Sequence, residues 1–279
     1  MEVLFEIIKA LLFGIVEGIT EWLPVSSTGH MILLNEFVKL NVSEEFWDMF
    51  LVVIQLGAIL AVVLIFWNTI WPFGMENKKV TIKTDIFINW FKIVVACIPA
   101  IVFVLLDLDD ICDALFYNAV GVSIALIVFG IAFIVVENKN AGKTAIVNEM
   151  SEITWKMAAM IGLFQLLAAA FPGTSRSGAT IIGALLIGVS RKAASEFTFI
   201  LAIPVMLGAS LLELLDFGFA LTGTEVAILL VGMVSAFLVS IFVIKFLLGY
   251  IRKHDFKVFG WYRIVLGIIV LLCGFVGII

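Results

Sequence analysis

Charge is what this sequence has least of. Only 14% of its 279 residues are Asp, Glu, Lys or Arg, against about 25% in ordinary soluble domains. That excludes a water-soluble globular enzyme, and it excludes a disordered chain, which needs the opposite balance. Cations do not dominate the little charge there is. The 17 Lys and Arg stand against 22 Asp and Glu, a net charge of −5, so no basic surface exists for a nucleic acid. Histidine occurs only at positions 30 and 254. The three cysteines, Cys97, Cys112 and Cys273, lack the spacing of a zinc site or a disulfide framework, and two of them lie in apolar runs as small hydrophobes. The segment Met1-Glu2-Val3-Leu4-Phe5-Glu6 is acidic where a secretory signal is basic, and no small-residue cleavage site follows, so it is expected to belong to the mature chain. What fills the space is hydrophobic: 63% of residues, with 25 Phe and seven Trp. Phe in that number reads as lipid-facing, Trp as interfacial. The composition is that of a polytopic membrane protein.

A helix needs about 20 apolar residues to cross the hydrocarbon core. Six stretches qualify: 49–71, 86–106, 114–136, 197–215, 226–248 and 259–279. Two further apolar regions are interrupted. Residues 3–40 break at Leu23-Pro24-Val25-Ser26-Ser27-Thr28-Gly29, and residues 155–189 at Phe171-Pro172-Gly173-Thr174-Ser175-Arg176-Ser177. The part after each break is about a dozen residues, too short to span, which suggests re-entrant hairpins lining a cavity. The expected fold is therefore all-α, with six transmembrane helices and two re-entrant helical hairpins in a single membrane domain, 1–279.

With the hairpins returning to their starting sides, Lys78, Lys79, Lys83, Lys139, Lys143, Lys156, Arg191, Lys192, Arg252, Lys253, Lys257 and Arg263 collect on one side. The other side holds Lys39 and the acidic loop Asp107, Asp109, Asp110, Asp113. The positive-inside rule makes the first side cytoplasmic and puts both termini outside. Residues 14–30 also lie over 162–178 without a gap at an offset of 148, pairing Gly14 with Gly162, Glu17 with Gln165, Pro24 with Pro172, Ser26 with Thr174 and Ser27 with Ser175. Each copy is a hairpin followed by three spans, giving repeat one 1–137 (hairpin 3–40) and repeat two 150–279 (hairpin 155–189). Three spans is an odd number, so the repeats are expected to be inverted, with a site near the midplane where the broken helices meet.

The breaks themselves are chemically suggestive. A helix start offers unpaired N–H donors and partial positive charge, a natural anion site. Ser26, Ser27, Ser175, Ser177 and Thr180 add hydroxyls, although any one of them could be an ordinary N-cap. Arg176 weighs more, because an Arg at membrane depth is costly and functional by default, and its planar fork suits phosphate oxygens. Glu17 and Glu21, four apart, share a helix face leading into the first break. Two carboxylates beside a phosphate call for a bridging cation, Mg²⁺ or Ca²⁺. His30, one turn after Ser27, is a candidate acid, base or nucleophile. His254 reads as a solvated loop residue.

Two segments carry a family resemblance. Glu17-Gly18-Ile19-Thr20-Glu21-Trp22-Leu23-Pro24-Val25-Ser26-Ser27-Thr28-Gly29-His30 resembles the first signature of the bacitracin-resistance type undecaprenyl-diphosphate phosphatases. Pro172-Gly173-Thr174-Ser175-Arg176-Ser177-Gly178-Ala179-Thr180 is similar to their second, Pro-Gly-x-Ser-Arg-Ser-x-x-Thr, and the likeness extends over essentially the whole chain. The resemblance implies a cation-dependent integral membrane phosphatase that converts undecaprenyl diphosphate to undecaprenyl phosphate, recycling the lipid carrier of cell-wall synthesis. It puts Glu17 and Glu21 in an acidic, metal-binding motif, Ser27 and His30 in a catalytic turn, and Ser175, Arg176 and Thr180 in a phosphate loop. Ser26 and Ser177 join the expected phosphate contacts. The expected partners are a polyprenyl diphosphate lipid, the surrounding membrane lipids and a second copy of the chain in a homodimer. The expected location is a bacterial plasma membrane with the site opening outward. Ser27, His30 or water could each be the nucleophile. The competing reading is a lipid transporter or flippase, since inverted repeats with broken helices also build transporters.

Overall fold

The structure, a computed structural model, describes residues 2–76, 79–218 and 220–279. Its helices are α1 (Glu2–Thr20), α2 (Ser27–Phe37), α3 (Glu44–Val53), α4 (Gln55–Ile65), α5 (Trp67–Ile70), α6 (Thr84–Leu105), α7 (Leu108–Phe116), α8 (Ala119–Asn140), α9 (Trp155–Ala170), α10 (Arg176–Leu186), α11 (Arg191–Phe217), α12 (Gly223–Tyr250) and α13 (Lys257–Val276). The strands β1 (Phe73–Glu76) and β2 (Lys79–Ile82) form an antiparallel hairpin, a small exception to the all-α expectation. It lies in the polar segment between two spans, where the chain must turn.

Six helical segments are long and apolar enough to cross a membrane: Glu44–Ile65, Thr84–Leu105, Ala119–Asn140, Arg191–Phe217, Gly223–Tyr250 and Lys257–Val276. The protein is a multi-pass membrane protein. Its surface is apolar, with Leu4, Phe5, Phe91, Phe242, Phe246 and Phe275 exposed, as are Trp67, Trp71, Trp155 and Trp261. Glu17, Glu21, Ser177, Thr180 and Arg263 are buried. Polar groups inside and apolar groups outside is the arrangement a lipid solvent selects.

Caps moved several boundaries away from those hydropathy suggests. The first span begins at Glu44, because the Ser43 hydroxyl accepts from Phe46 N at 3.2 Å and fixes the helix start. It ends at Ile65 rather than Trp71, after which Trp67–Ile70 is a separate turn. Asn118 Oδ1 accepts from Gly121 N at 2.9 Å, so the third span starts at Ala119, while residues 114–116 close α7. That short helix carries Asp109, Asp110 and Asp113 of the acidic loop. Burial, with Asp109 and Asp110 beside it, pushes the Asp113 carboxyl above its ordinary range.

At the opposite end, Glu137 of α8 accepts from Arg191 Nε of α11 at 2.8 Å and from Phe256 N at 3.0 Å. These bonds gather the cation-rich ends of α8, α11, α12 and α13 on one side. A cavity of about 670 Å³ opens there, lined in part by Lys139, Lys143, Asn148, Gly188 and Lys192.

The packing that positions the breaks is reciprocal. Helix α1 packs on α12, α9 on α6, and α8 on α13. Two of these contacts need glycine. A Cβ on Gly14 would lie 2.3 Å from the Gly232 carbonyl oxygen on α12, and one on Gly162 would lie 2.4 Å from that of Ala96 on α6. Backbones at that distance exclude any side chain.

Candidate active site

Both interrupted apolar regions stop and restart as helices where expected. Helix α1 ends at Thr20 and α2 begins at Ser27; α9 ends at Ala170 and α10 begins at Arg176. The caps of the two restarted helices match closely. Ser26 has φ 75° and ψ 106°, Ser175 φ 70° and ψ 120°, and each hydroxyl accepts from the backbone N–H three residues on, Gly29 and Gly178. Left-handed geometry is strained for a residue with a side chain, and such strain gathers at functional sites. In helix-start geometry Ser26 therefore corresponds to Ser175, an offset of 149. The gapless alignment had paired Ser27 with Ser175; between the proline and the cap serine the second break holds one more residue, Gly173 and Thr174 against Val25 alone. The first helical residues, Ser27 and Arg176, are thus counterparts.

Both meet Glu21. Ser27 Oγ donates to Glu21 Oε2 at 3.0 Å, and Arg176 Nη2 donates to Oε1 at 2.9 Å. The Ser177 hydroxyl donates to the Glu21 carbonyl at 3.2 Å and contacts Ser175 Oγ at 3.1 Å. Arg176 Nη1 reaches the Thr198 carbonyl at 3.3 Å, and Met206 Sδ lies 3.7 Å from Nη2. A carboxylate, a hydroxyl and a guanidinium from the two helix breaks therefore meet in a largely buried setting. Opposite charges at that distance and burial attract far more strongly than at a surface.

Glu17 is 1% exposed, one turn before Glu21, and its Oε1 has no hydrogen-bond partner. A buried unpartnered carboxylate oxygen is costly unless something else ligates it. The described residues bring together no group of three or more His, Cys, Asp and Glu side chains. The donor set is thus two carboxylates, one of them already engaged. Magnesium sites that take one or two carboxylates and complete themselves with substrate phosphates fit such a set.

Thr180 packs back on its own helix, donating to the Arg176 and Ser177 carbonyls at 2.9 and 3.2 Å and accepting from Thr198 Oγ1 at 2.9 Å. His30 turns away from Ser27. Its Nδ1 lies 2.6 Å from the Ser26 carbonyl and its Nε2 2.7 Å from the Tyr262 hydroxyl, with the two rings stacked at 5.6 Å. A carbonyl only accepts, so Nδ1 carries the proton, and in the neutral ring Nε2 accepts from Tyr262. The group in hydrogen-bonding contact with Ser27 is Glu21.

A family model described as bacitracin resistance protein BacA matches residues 10–269. The chain belongs to that family. It is 64% identical over 269 residues to a protein of Desulfitobacterium hafniense named undecaprenyl-diphosphatase, covering 96% of each chain. It is 62% identical to undecaprenyl-diphosphatase 1 of Clostridium acetobutylicum (96% of this chain, 97% of that one). It is 60% identical to an undecaprenyl-diphosphatase of Enterococcus faecalis, over 96% of each. The two segments that resemble the family's signatures are the ones that meet at Glu21.

Sequence reasoning missed Thr198, Met206, Tyr262 and Arg263. The last requires a correction, because it was counted among the twelve cations of one membrane face. Arg263 is fully buried, the seventh residue of α13 and so about 9 Å inside it. Its depth within an apolar span was the signal that could have set it apart from Arg252 and Lys253.

Proposed function

We propose that the protein is an undecaprenyl-diphosphatase, releasing inorganic phosphate from undecaprenyl diphosphate and returning undecaprenyl phosphate. The contact that carries this reading is the Ser27–Glu21–Arg176 group: a nucleophile bonded to a base, with a guanidinium on the base's other oxygen. A binding site alone has no need of a serine hydroxyl aimed at a buried carboxylate, so hydrolysis is favoured over the transporter reading.

The polyprenyl tail stays among the membrane lipids while the diphosphate reaches Arg176, whose fork shifts from Glu21 to the phosphoryl oxygens. Ser27 Oγ attacks the terminal phosphorus as Glu21 Oε2 takes its proton. The bond from that phosphorus to the bridging oxygen breaks, the departing phosphate oxygen takes the proton held on Glu21, and undecaprenyl phosphate leaves. Glu21, again a carboxylate, deprotonates the water that displaces the serine oxygen and returns that proton to Ser27 Oγ as inorganic phosphate departs. Arg176 and the starts of α2 and α10 offset charge in both transfers. His30 holds the turn at Ser26 through Nδ1 rather than serving as the first base. Ser26 and Ser175 cap the two helices, and Ser177 and Thr180 hold Glu21 and Arg176 in place.

Glu17 and Glu21 would hold a divalent cation, Mg²⁺ or Ca²⁺, which when bound neutralises diphosphate charge beside the carboxylates. Purified protein in detergent, where no transport is possible, should release phosphate from undecaprenyl diphosphate, stop with excess chelator and recover with Mg²⁺ or Ca²⁺. No release at all favours the transporter; full activity in chelator eliminates the cation.

The reciprocal packing of α1 on α12 and α9 on α6, with matched serine caps, supports two re-entrant hairpins in an inverted repeat, 1–137 and 150–279. The positive-inside rule, with ten described cations left on one side once Arg263 is removed and Lys78 set aside as outside the described residues, supports a bacterial plasma membrane and a site opening outward. In a background lacking the native cysteines, an impermeant thiol reagent should label Asp110→Cys in intact cells and Lys253→Cys only after permeabilisation. The reverse pattern inverts the topology and the site with it. A homodimer is compatible with this fold, and its test is the mass of the purified protein–detergent complex.

A further inference from the structure

Arg263 is the one arginine of the chain that is wholly buried, and the mechanism above makes no use of it. Among the described residues it has no carboxylate partner within ion-pair distance. Nη2 donates to the Gly173 carbonyl at 2.9 Å and Nη1 to the Pro24 carbonyl at 3.4 Å, while Nε has no hydrogen-bond partner. The guanidinium carbon lies 5.9 Å from the Phe129 ring centroid. A cation kept at that depth without a counter-charge is expensive, and stability alone does not explain it, since a well-packed apolar residue commonly serves a core as well or better.

The two carbonyls are the informative part. Pro24 and Gly173 belong to different breaks, and each lies three residues before the first residue of its restarted helix, Ser27 and Arg176. Carbonyls near an interrupted helix end lack intrahelical partners and carry partial negative charge, so a planar fork can satisfy two at once. The fork also lies beneath the second helix start. A Cβ on Gly178, whose N–H caps on Ser175, would lie 3.3 Å from Arg263 Nη1. A single rigid group therefore joins the two breaks.

We infer that Arg263 is a positioning residue, a clamp joining the Pro24 and Gly173 carbonyls that sets the spacing between Ser27 and Arg176 for the transfer. It touches neither substrate nor reacting atoms, and it acts through the two breaks. An ammonium keeps the charge but lacks the planar fork that reaches both carbonyls in a fixed geometry. The inference rests on the phosphatase reading, so wild type is assayed in parallel: a wild type releasing no phosphate rejects that reading, not the clamp in particular.

The test compares Arg263→Lys and Arg263→Met with wild type in detergent, with activity expressed per folded molecule and melting temperature measured alongside. The expected result is a fall in kcat of roughly 30-fold or more with KM within about threefold, because binding groups remain while their alignment in the transition state is lost. A double variant with Arg176→Lys should lose less than the product of the two single effects, since both act on one alignment. Wild-type kcat per folded molecule in either variant, effects that multiply fully, or loss of folded protein as the sole defect would each overturn the inference and leave Arg263 a structural residue.

Discussion

Replacing Glu21 with Gln should lower kcat by roughly 10²–10⁴-fold, the range of a lost general base. The side chain keeps its size, so its buried packing is preserved, but the carboxylate accepts from two donors at once. An amide offers only one acceptor oxygen. If it faces Arg176, an NH₂ group meets Ser27 and cannot take its proton. If it faces Ser27, the NH₂ group opposes the Arg176 guanidinium and leaves a buried cation unpaired. Either outcome disables the site, and the choice between them shows in KM, which rises more in the second case. Phosphate release per folded molecule measures the effect. A Gln variant within tenfold of wild type would remove Glu21 from the chemistry.

The second large effect belongs to Arg176→Lys. The charge is retained and none of the six spans is altered, so expression should be normal. Arg176 divides its fork between Glu21 Oε1 and the Thr198 carbonyl, and the same planar geometry suits two phosphoryl oxygens. A lysine offers a point charge on a flexible stem. We expect a loss of about 10²–10³-fold in kcat, the scale of removing one group that stabilises developing charge. Substrate binding, read from KM, should change less, because part of the electrostatic attraction remains. A Lys variant with near-native turnover would show that two-point contact is unnecessary.

Much of this site was legible because breaking a membrane helix is costly and leaves marks. Proline followed by a run of Ser, Thr and Gly located both breaks to within a few residues, and Glu21, Ser27 and Arg176 are the residues they bring together. Hydropathy found the six spans but misplaced several ends, at starts where a polar side chain caps the helix, as at Ser43, Asn118 and Ser190, and at the end of the first span, where the helix breaks at Phe66. Linear alignment failed by one residue inside the break, because backbone geometry rather than identity defines which serine is the cap.

What stayed hidden is what lies far off in sequence. Thr198 and Met206 on α11 and Tyr262 and Arg263 on α13 reach the site only through helix packing. His30 illustrates the limit from the other side. Its spacing after Ser27 suggested an acid, base or nucleophile, yet the side chain contacts Ser26 and Tyr262, and nothing local in the sequence foretells a stack with a residue of the last helix.

The most direct test of the account is phosphate release from undecaprenyl diphosphate by purified protein in detergent, wild type beside Ser27→Ala. The alanine removes the hydroxyl proposed to attack and one donor to Glu21, and leaves the Arg176–Glu21 pair intact. The account predicts one phosphate per lipid from wild type, and release near background from Ser27→Ala at an unchanged melting temperature. Equal rates from the two proteins would contradict it.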